Sequence, residues 1–517
     1  MMSDFLFTQN LGRATDYGLC FFPDKPALVQ AGMRLTYKQL DRRINRVAQG
    51  LSAAGLRRGD RVLILWENDL RFVETALGAI RGGFVAVPVN PKLAVQTHQE
   101  QLEDSGALAV LGSAAAGEIV SKLAQHNPLM LSVAVDGEAH GLVDYEGWLS
   151  NVSPASPDVL VDPDELAWLA FTSGTTGRPK GVQIPGRMLL RDSQLIGQNL
   201  YLNPSDRVVL AAPLFHMNAA ACGLLPVLLT GGTVTVLPGF EPQMVLRTIS
   251  EQHITYSIGV PAMFKMMLAE ADNLSDQNYR SLRVIACGSA PLPPSLSAQL
   301  SGVFPNATFV EGYGLTECGP CLSMNPLIGP RRAGSIGRPL PGFEVRIVGS
   351  DEEDIPPGGT GELWCRNAYC VTPGYLGRPE ENARRIKPGG WFATGDLAYQ
   401  DDDGWLYFRG RADDRINVGG EKVYPAEVEA ILARHAAVRD VAVVPSPHEV
   451  KGQVPVAFVV LETGAKTTEE ELREYFFAEG PAYAHPRCIT FLDQMPLSAT
   501  AKTDKRALSR DARSGKL

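Results

Sequence analysis

The chain has 517 residues, of which 45% are apolar and 20% charged, with a formal net charge of −9. It is too long for one hydrophobic core and suggests about three domains. Its ordinary globular composition argues against disorder, and its acidic balance argues against broad electrostatic attraction to nucleic acid.

Residues 1–10 lack a basic region followed by a long apolar core, so no secretory signal is expected, and Gly515-Lys516-Leu517 is not the peroxisomal Ser-Lys-Leu. Eight cysteines scattered along the chain suit free thiols in a reducing cytoplasm. The first elements alternate. A helical period spans Tyr37–Ala54, a buried strand covers 60–65, a helix Phe72–Ile80 and a second strand 84–89. Such alternation predicts a parallel sheet with helices on both faces. After an apolar strand over Leu166–Phe171 comes Thr172-Ser173-Gly174-Thr175-Thr176-Gly177-Arg178-Pro179-Lys180-Gly181. Glycines let backbone N–H groups close on phosphate oxygens, while hydroxyls add donors and Lys180 adds charge. The run therefore predicts a polyphosphate cradle, although its Pro-Lys-Gly ending is not that of a Walker loop.

Residues 208–240 contain no Asp, Glu, Lys or Arg. Pro213, His216, Asn218, Pro226 and Gly231-Gly232 interrupt them, and the reading is strand, helix, strand rather than a membrane span. Strands are predicted at 208–210, 233–236, 255–258 and 284–286, in one sheet or in two. The next motif, Glu311-Gly312-Tyr313-Gly314-Leu315-Thr316-Glu317, combines close backbone approach, a flat ring for a base, a phosphate-bonding hydroxyl and a hard oxygen ligand suited to Mg²⁺. Cys318-Gly319-Pro320-Cys321 follows directly. It has C-x-x-C spacing, and two readings stand: small residues lining a pocket, or a redox pair. Zinc would need two more ligands, and Cys365 and Cys370 have the wrong spacing.

From about residue 330 short β-rich runs, such as 344–348 and 361–365, predict a small barrel or distorted sheet. In Trp391-Phe392-Ala393-Thr394-Gly395-Asp396 a carboxylate follows a glycine turn and can clamp two ribose hydroxyls. Arg409–Arg415 is the expected hinge. Beyond it, helix Pro425–His435, strands 438–444 and 454–461, and helix Thr468–Phe477 predict a compact α+β domain. Lys502 lies near the end, within Ser498-Ala499-Thr500-Ala501-Lys502.

The runs Thr172–Gly181, Gly312–Glu317, Thr394–Asp396, Gly410–Asp414 and Lys502 occur in the order seen in the adenylate-forming superfamily. That superfamily includes acyl-CoA synthetases, firefly-type luciferases and peptide-synthetase adenylation domains. The chain resembles it from Leu35-Thr36-Tyr37 to Lys502, and looks closest to bacterial acyl-CoA synthetases. The resemblance implies an α/β fold. Residues 1–411 would form a large N-terminal domain (parallel-type αβ sheets over 1–329, a small β-barrel-like subdomain over 330–411). Residues 412–517 would form a small mobile α+β domain carrying the catalytic lysine.

It also implies roles. Thr172, Ser173, Gly174, Thr175, Thr176 and Lys180 would hold the β- and γ-phosphates of ATP. Gly288, Ser289, Ala290 and Pro291 would sandwich the adenine with Tyr313, flanked by Glu311, Gly312 and Gly314. Thr316 would touch the α-phosphate, Glu317 would bind Mg²⁺, and Asp396 and Arg411 would hold the ribose. Asp413 would be the pivot, and Lys502 would bridge carboxylate and α-phosphate. Gly419 and Gly420 would line the tunnel of the acceptor. His216 stands where α-amino-acid-activating relatives carry Asp, which argues against an α-amino acid as the activated group and leaves it to gate the acyl pocket. Ala219, Ala220, Val260, Phe264, Gly288 and Gly312 would line that pocket.

The implied reaction uses ATP and Mg²⁺ to convert a carboxylic acid to an acyl-adenylate with release of pyrophosphate. The acyl group then passes to the thiol of CoA. Two departures, Ala501 before Lys502 and Tyr483-Ala484-His485-Pro486 in place of Tyr-Lys-x-Pro, keep open an amide-forming ligase of the coronafacic acid ligase type, which passes the acyl group to an amino-acid amine. A luciferase-like oxygenase is a remote alternative. The expected protein is cytoplasmic, a monomer or homodimer, without nucleic-acid partner or membrane span.

Overall fold

The computed structural model describes residues 10–172, 179–274, 277–288, 294–462, 464–496 and 503–513. The chain divides into two compact units, Met1–Glu344 with Cys365–Phe392, and Val345–Trp364 with Ala393–Leu517.

The first unit is mixed α/β and contains two separate sheets, and the four strands predicted between 208 and 286 all lie in one of them. One has seven strands in the order Val143–Asp144, Leu131–Ala134, Ala109–Gly112, Arg61–Leu65, Val85–Pro88, Leu166–Thr172, Lys180–Pro185. All its pairings are parallel except the last, an antiparallel hairpin with Thr172 opposite Lys180. The other has nine strands, Arg338–Pro339, Ser323–Met324, Thr308–Tyr313, Val284–Cys287, Tyr256–Gly259, Arg207–Leu210, Thr233–Val236, Pro26–Gln30 and Met33–Thr36. Its inner strands are parallel and its edges antiparallel. The inner strands are almost wholly apolar and buried, as strands covered on both faces must be.

Local chemistry sets the element boundaries. Thr36 and Gln39 form a reciprocal capping box that starts the helix Tyr37–Ala53. Tyr37 is fully buried and donates its hydroxyl proton to the Gly232 carbonyl at 2.7 Å. Gly18 is required beside it, because a Cβ there would lie 2.2 Å from the Tyr37 ring. The uncharged stretch 208–240 is strand, helix, strand as expected, but Asn218–Leu224 is a π-helix that runs into the α-helix Leu225–Leu229. Among the described residues no helix is long and apolar enough to cross a membrane.

A small sheet contains Gly361–Arg366, Trp391–Gln400 and Leu406–Arg411, of which residues 361–364, 393–400 and 406–411 belong to the second unit. A second sheet contains Glu421–Val423, Ile416–Val418, Gly452–Leu461, Val438–His448 and Ile489–Phe491. Its strands alternate between two cores. Val443, Ala457 and Val459 pack with Val428, Leu432, Leu472 and Phe476 of helices Pro425–Leu432 and Glu469–Glu479. Val444, Val456 and Phe458 pack on the other face with Leu508 of helix Lys505–Arg513. The first of those helices ends three residues before the expected His435. The second starts one residue late because Thr468 is its N-cap, within a capping box with Glu471.

Candidate active site

Ligands of parallel αβ sheets bind beyond the carboxyl ends of the strands. In the nine-stranded sheet four neighbouring parallel strands end at Leu210, Gly259, Cys287 and Tyr313. Predicted residues follow each end or lie within the last strand: His216, Val260, Gly288, and the Glu311–Glu317 motif. One sheet edge thus gathers segments separated by more than a hundred residues. Gly288 and Gly312 are close enough that a Cβ on Gly288 would lie 3.3 Å from the Gly312 carbonyl oxygen. Gly314 admits no side chain, since its Cβ would fall 1.8 Å from the Pro320 carbonyl oxygen. Glu311 pairs with Cys287 across the strands and accepts the Asn325 N–H at 2.8 Å through its carbonyl. Tyr313 and Thr316 are half-buried.

His216 is half-buried in the turn before the π-helix, its ring 4.7 Å from that of Phe215. Ala219 and Ala220 are fully buried within that helix. Phe264 and Val260 belong to a buried apolar cluster with Ala211, Met263, Ile285 and Cys287.

The phosphate-loop run is carried by the hairpin of Leu166–Thr172 and Lys180–Pro185, where the Thr172 hydroxyl donates to the Lys180 carbonyl at 3.4 Å. Ser173, Gly174, Thr175, Thr176, Ser289, Ala290, Pro291 and Lys502 lie outside the described residues. Lys180 Nζ is 3.0 Å from Glu381 Oε1 and 5.6 Å from the centre of the Tyr375 ring. Burial pushes the Glu381 carboxyl upward, but Arg384 and Lys180 outweigh it and hold the group at about 2. Tyr375 donates its hydroxyl proton to Glu317 Oε1 at 2.7 Å. Burial, reinforced by the Glu317 charge, pushes that phenol well above its ordinary value, so it remains a donor.

The segment 372–376 clasps the two motifs together. The Thr372 N–H donates to the Glu317 carbonyl at 2.8 Å, the Gln183 N–H to the Gly374 carbonyl at 3.0 Å, and the Leu376 N–H to the Gly181 carbonyl at 2.9 Å. The Thr372 hydroxyl bonds the Gln183 carbonyl at 2.5 Å. Lys180 and Glu317, 137 residues apart by numbering, therefore meet on one tyrosine. Sequence reasoning missed Tyr375, Thr372 and Glu381. Gly374-Tyr375 is an unremarkable dipeptide whose partners lie far away in the chain. Behind this region Asp192 is fully buried, and burial holds its carboxyl well above the usual range. It faces Gly319, whose added Cβ would lie 2.8 Å from Asp192 Oδ1. A separate cleft of about 1020 Å³, lined by Arg13, Tyr17, Gln194, Gln198, Tyr201 and Leu229 among others, includes none of the predicted site residues that are described.

In the second unit Asp396 and Arg411 face each other across two antiparallel strands, with Arg411 Nε 3.1 Å from Asp396 Oδ1. Asp396 is buried and Arg411 exposed. The turn before the carboxylate is fixed. The Thr394 hydroxyl donates to the Leu363 carbonyl at 2.6 Å and accepts the Asp396 N–H at 3.1 Å, while the Gly395 N–H donates to Glu362 Oε1 at 2.7 Å. Asp413 is exposed in the turn after this strand. Gly419 and Gly420 form the turn between strands Ile416–Val418 and Glu421–Val423, with φ of 63° and 100°. That conformation itself demands glycine; among the described residues no atom lies within 4 Å of a Cβ built on Gly420.

Two family models match the chain: AMP-binding enzyme over residues 21–376, and AMP-binding enzyme C-terminal domain over 427–502. The chain belongs to the AMP-binding enzyme family. Among relatives of this AMP-binding enzyme, a feruloyl-CoA synthase of Amycolatopsis sp is 34% identical over 489 residues, covering 94% of this chain and 96% of the relative. The anthranilate CoA ligase AuaEII, solved in complex with anthranoyl-AMP, is 26% identical and superimposes with a TM-score of 0.91 over 98% of both chains. The amide bond synthetase McbA of Marinactinospora thermotolerans is also 26% identical, with a TM-score of 0.87 over 97% of this chain and 99% of its own. The two-domain α/β architecture of the adenylate-forming enzymes is therefore that of this chain.

Proposed function

We propose that this AMP-binding enzyme uses ATP to activate an aromatic carboxylic acid as its acyl-adenylate, releases pyrophosphate, and transfers the acyl group to the thiol of CoA. The meeting of Lys180 and Glu317 on Tyr375 carries the reading. It joins a cationic, hydroxyl-rich loop to a hard carboxylate, as a bound nucleoside triphosphate requires. The aromatic acids and CoA named for the feruloyl and anthranilate enzymes support the substrate class and the acceptor.

A carboxylate is already anionic and a poor electrophile. Its oxygen attacks the α-phosphorus of ATP, and the resulting acyl-adenylate has AMP as a good leaving group. Positioning and charge stabilisation dominate such a reaction. Thr172–Lys180 grip the departing phosphates, Gly288–Pro291 and Tyr313 hold the adenine, and Thr316 bonds the α-phosphate. Asp396 and Arg411 hold the ribose, and Lys502 neutralises charge between carboxylate and α-phosphate.

Among the described residues no three His, Cys, Asp or Glu side chains are grouped to hold a metal. This fits Mg²⁺, which commonly takes one or two carboxylates together with substrate phosphates. Glu317 would supply the carboxylate, oriented by the Tyr375 hydroxyl on Oε1. Bound there with the triphosphate, Mg²⁺ would neutralise its charge. Residues 412–517 act as the mobile domain, pivoting at Asp413, withdrawing Lys502 and presenting Gly419 and Gly420 to the acceptor. The enzyme works in the cytoplasm as a monomer or homodimer.

The likeness to McbA supports a second reading, transfer to an amine. It agrees with Ala501 and with Ala484-His485, where the family's common glycine and lysine are missing. A panel of benzoic, cinnamic and aliphatic acids with ATP and Mg²⁺, followed by pyrophosphate release, tests the first step. Active acids are then offered CoA or free amino acids and the products weighed. Thioester without amide upholds CoA; amide alone replaces it. No pyrophosphate with any acid, and wild-type behaviour of Lys502→Ala, would overturn the central reading.

A further inference from the structure

The C-x-x-C motif has no part in the chemistry above, and its two sulfurs have different neighbours. Cys321 Sγ turns to the Ser323 carbonyl at 3.6 Å. Cys318 Sγ instead lies 3.0 Å from Cys365 Sγ, with both residues fully buried. Cys318 ends the short 3-10 turn Thr316–Cys318, and Cys365 sits in strand Gly361–Arg366.

We propose that Cys318 and Cys365 are a reversible dithiol–disulfide pair through which peroxide switches off adenylation. A disulfide has a sulfur–sulfur distance of about 2.0 Å, so bond formation requires an approach of only about 1 Å. Oxidation of one thiol to a sulfenic acid leaves the other already in attacking position, which favours it over bulk thiols. Overall, two S–H bonds and the peroxide O–O bond break. One S–S bond and two waters form, each sulfur losing one electron and the peroxide taking both. Burial shields the pair, so oxidation waits on local opening and runs more slowly than at the exposed Cys20. A buried thiol pair of this kind in a reducing compartment suits transient sensing rather than a permanent crosslink.

The consequence follows from position. Glu317 is covalently next to Cys318, its carboxylate accepts a hydrogen bond from the Tyr375 hydroxyl, and its carbonyl accepts one from the Thr372 N–H. Drawing Cys318 toward Cys365 pulls on the residue that orients the triphosphate, so the effect on activity rests on the role proposed for Glu317.

The test treats the full-length protein with hydrogen peroxide, alkylates it under denaturing conditions, and digests it without reductant. The expected result is a Cys318–Cys365 linked peptide. Pyrophosphate release should fall at least about tenfold, by misplacement of a reacting group, and return on dithiothreitol. Cys365→Ser should lose the linked peptide and keep its activity in peroxide; Cys318→Ser gives the same reading if that variant folds poorly. Absence of the linked peptide when Cys20 is fully oxidised would overturn the pair, as would a Cys318–Cys321 link in its place. Loss of activity that persists in Cys365→Ser would overturn the switch. The crosslink is read by mass and needs no substrate, so its failure is distinct from failure of the adenylation reading.

Discussion

The two units hold their candidate site residues by different means. In the first, Lys180 and Glu317 are tied to Glu381, Tyr375 and Thr372, so several side chains and an added run of backbone share the work. In the second, Asp396 faces Arg411 across two antiparallel strands, and Gly419-Gly420 adopts a positive-φ turn. A web of partners suits a surface that must present fixed charge to a polyanion. A glycine turn suits a part proposed to act at only one step. Substitutions at the first unit's site residues should therefore impair adenylation whatever the acceptor, and those at Lys502 and the Gly419-Gly420 turn of the second should separate the two half-reactions.

The largest effect is expected at Lys502. Lys502→Ala should lower pyrophosphate release by about 10²–10³-fold, as for loss of a charge-stabilising donor, while transfer from preformed acyl-adenylate stays nearly intact. Equal damage to both steps would erase the contrast. Glu317→Gln should reduce adenylation by about 10–100-fold and raise the Mg²⁺ requirement, with Tyr375→Phe milder in the same direction. Titration of Mg²⁺ against rate checks both, and an unchanged Mg²⁺ dependence would remove Glu317 from the metal site.

Gly420→Ala meets no neighbouring atom among the described residues but must adopt a φ of 100°, a cost of about 1–3 kcal/mol. Thioester formation should slow by about tenfold, the rate equivalent of about 1.4 kcal/mol, with pyrophosphate release unchanged. A matching loss in pyrophosphate release would show that the turn serves both steps.

Two smaller effects concern stability. Asp192 holds its proton in the folded state well above the usual carboxylate range because it is buried. The folded state therefore binds more protons than the unfolded one above the unfolded pKa near 4, and this group costs stability as pH rises from there towards the folded value. Asp192→Asn should raise Tm by about 2 °C, with more gain at pH 8 than at pH 5. Glu381 has the opposite sign. Its depressed value of about 2 contributes stability above the unfolded value, lost as pH falls toward 2. The Tm difference between wild type and Glu381→Gln should shrink over that interval, and a constant difference would show that Lys180 and Arg384 do not stabilise the charge.

Much of the fold was legible. Apolar strand runs at 60–65, 84–89, 208–210, 233–236 and 284–286 are local, so their pattern reveals them. The π-helix was not, because its apolar composition suits any buried helix. The order of motifs in the chain identified the family, which two family models match; the roles given to Thr172–Lys180, Tyr313–Glu317 and Asp396 are proposals that follow from it. What the sequence by itself determined was this inventory of donors, charges and glycines. Tertiary structure alone decided which of them meet: that strands ending at Leu210, Gly259, Cys287 and Tyr313 are neighbours, that Tyr375 binds Glu317, and that Cys318 faces Cys365 rather than Cys321. Strand order and long-range side-chain pairing arise from burial of whole faces. That energy depends on apolar area and packing, and it leaves no short-range pattern in the chain.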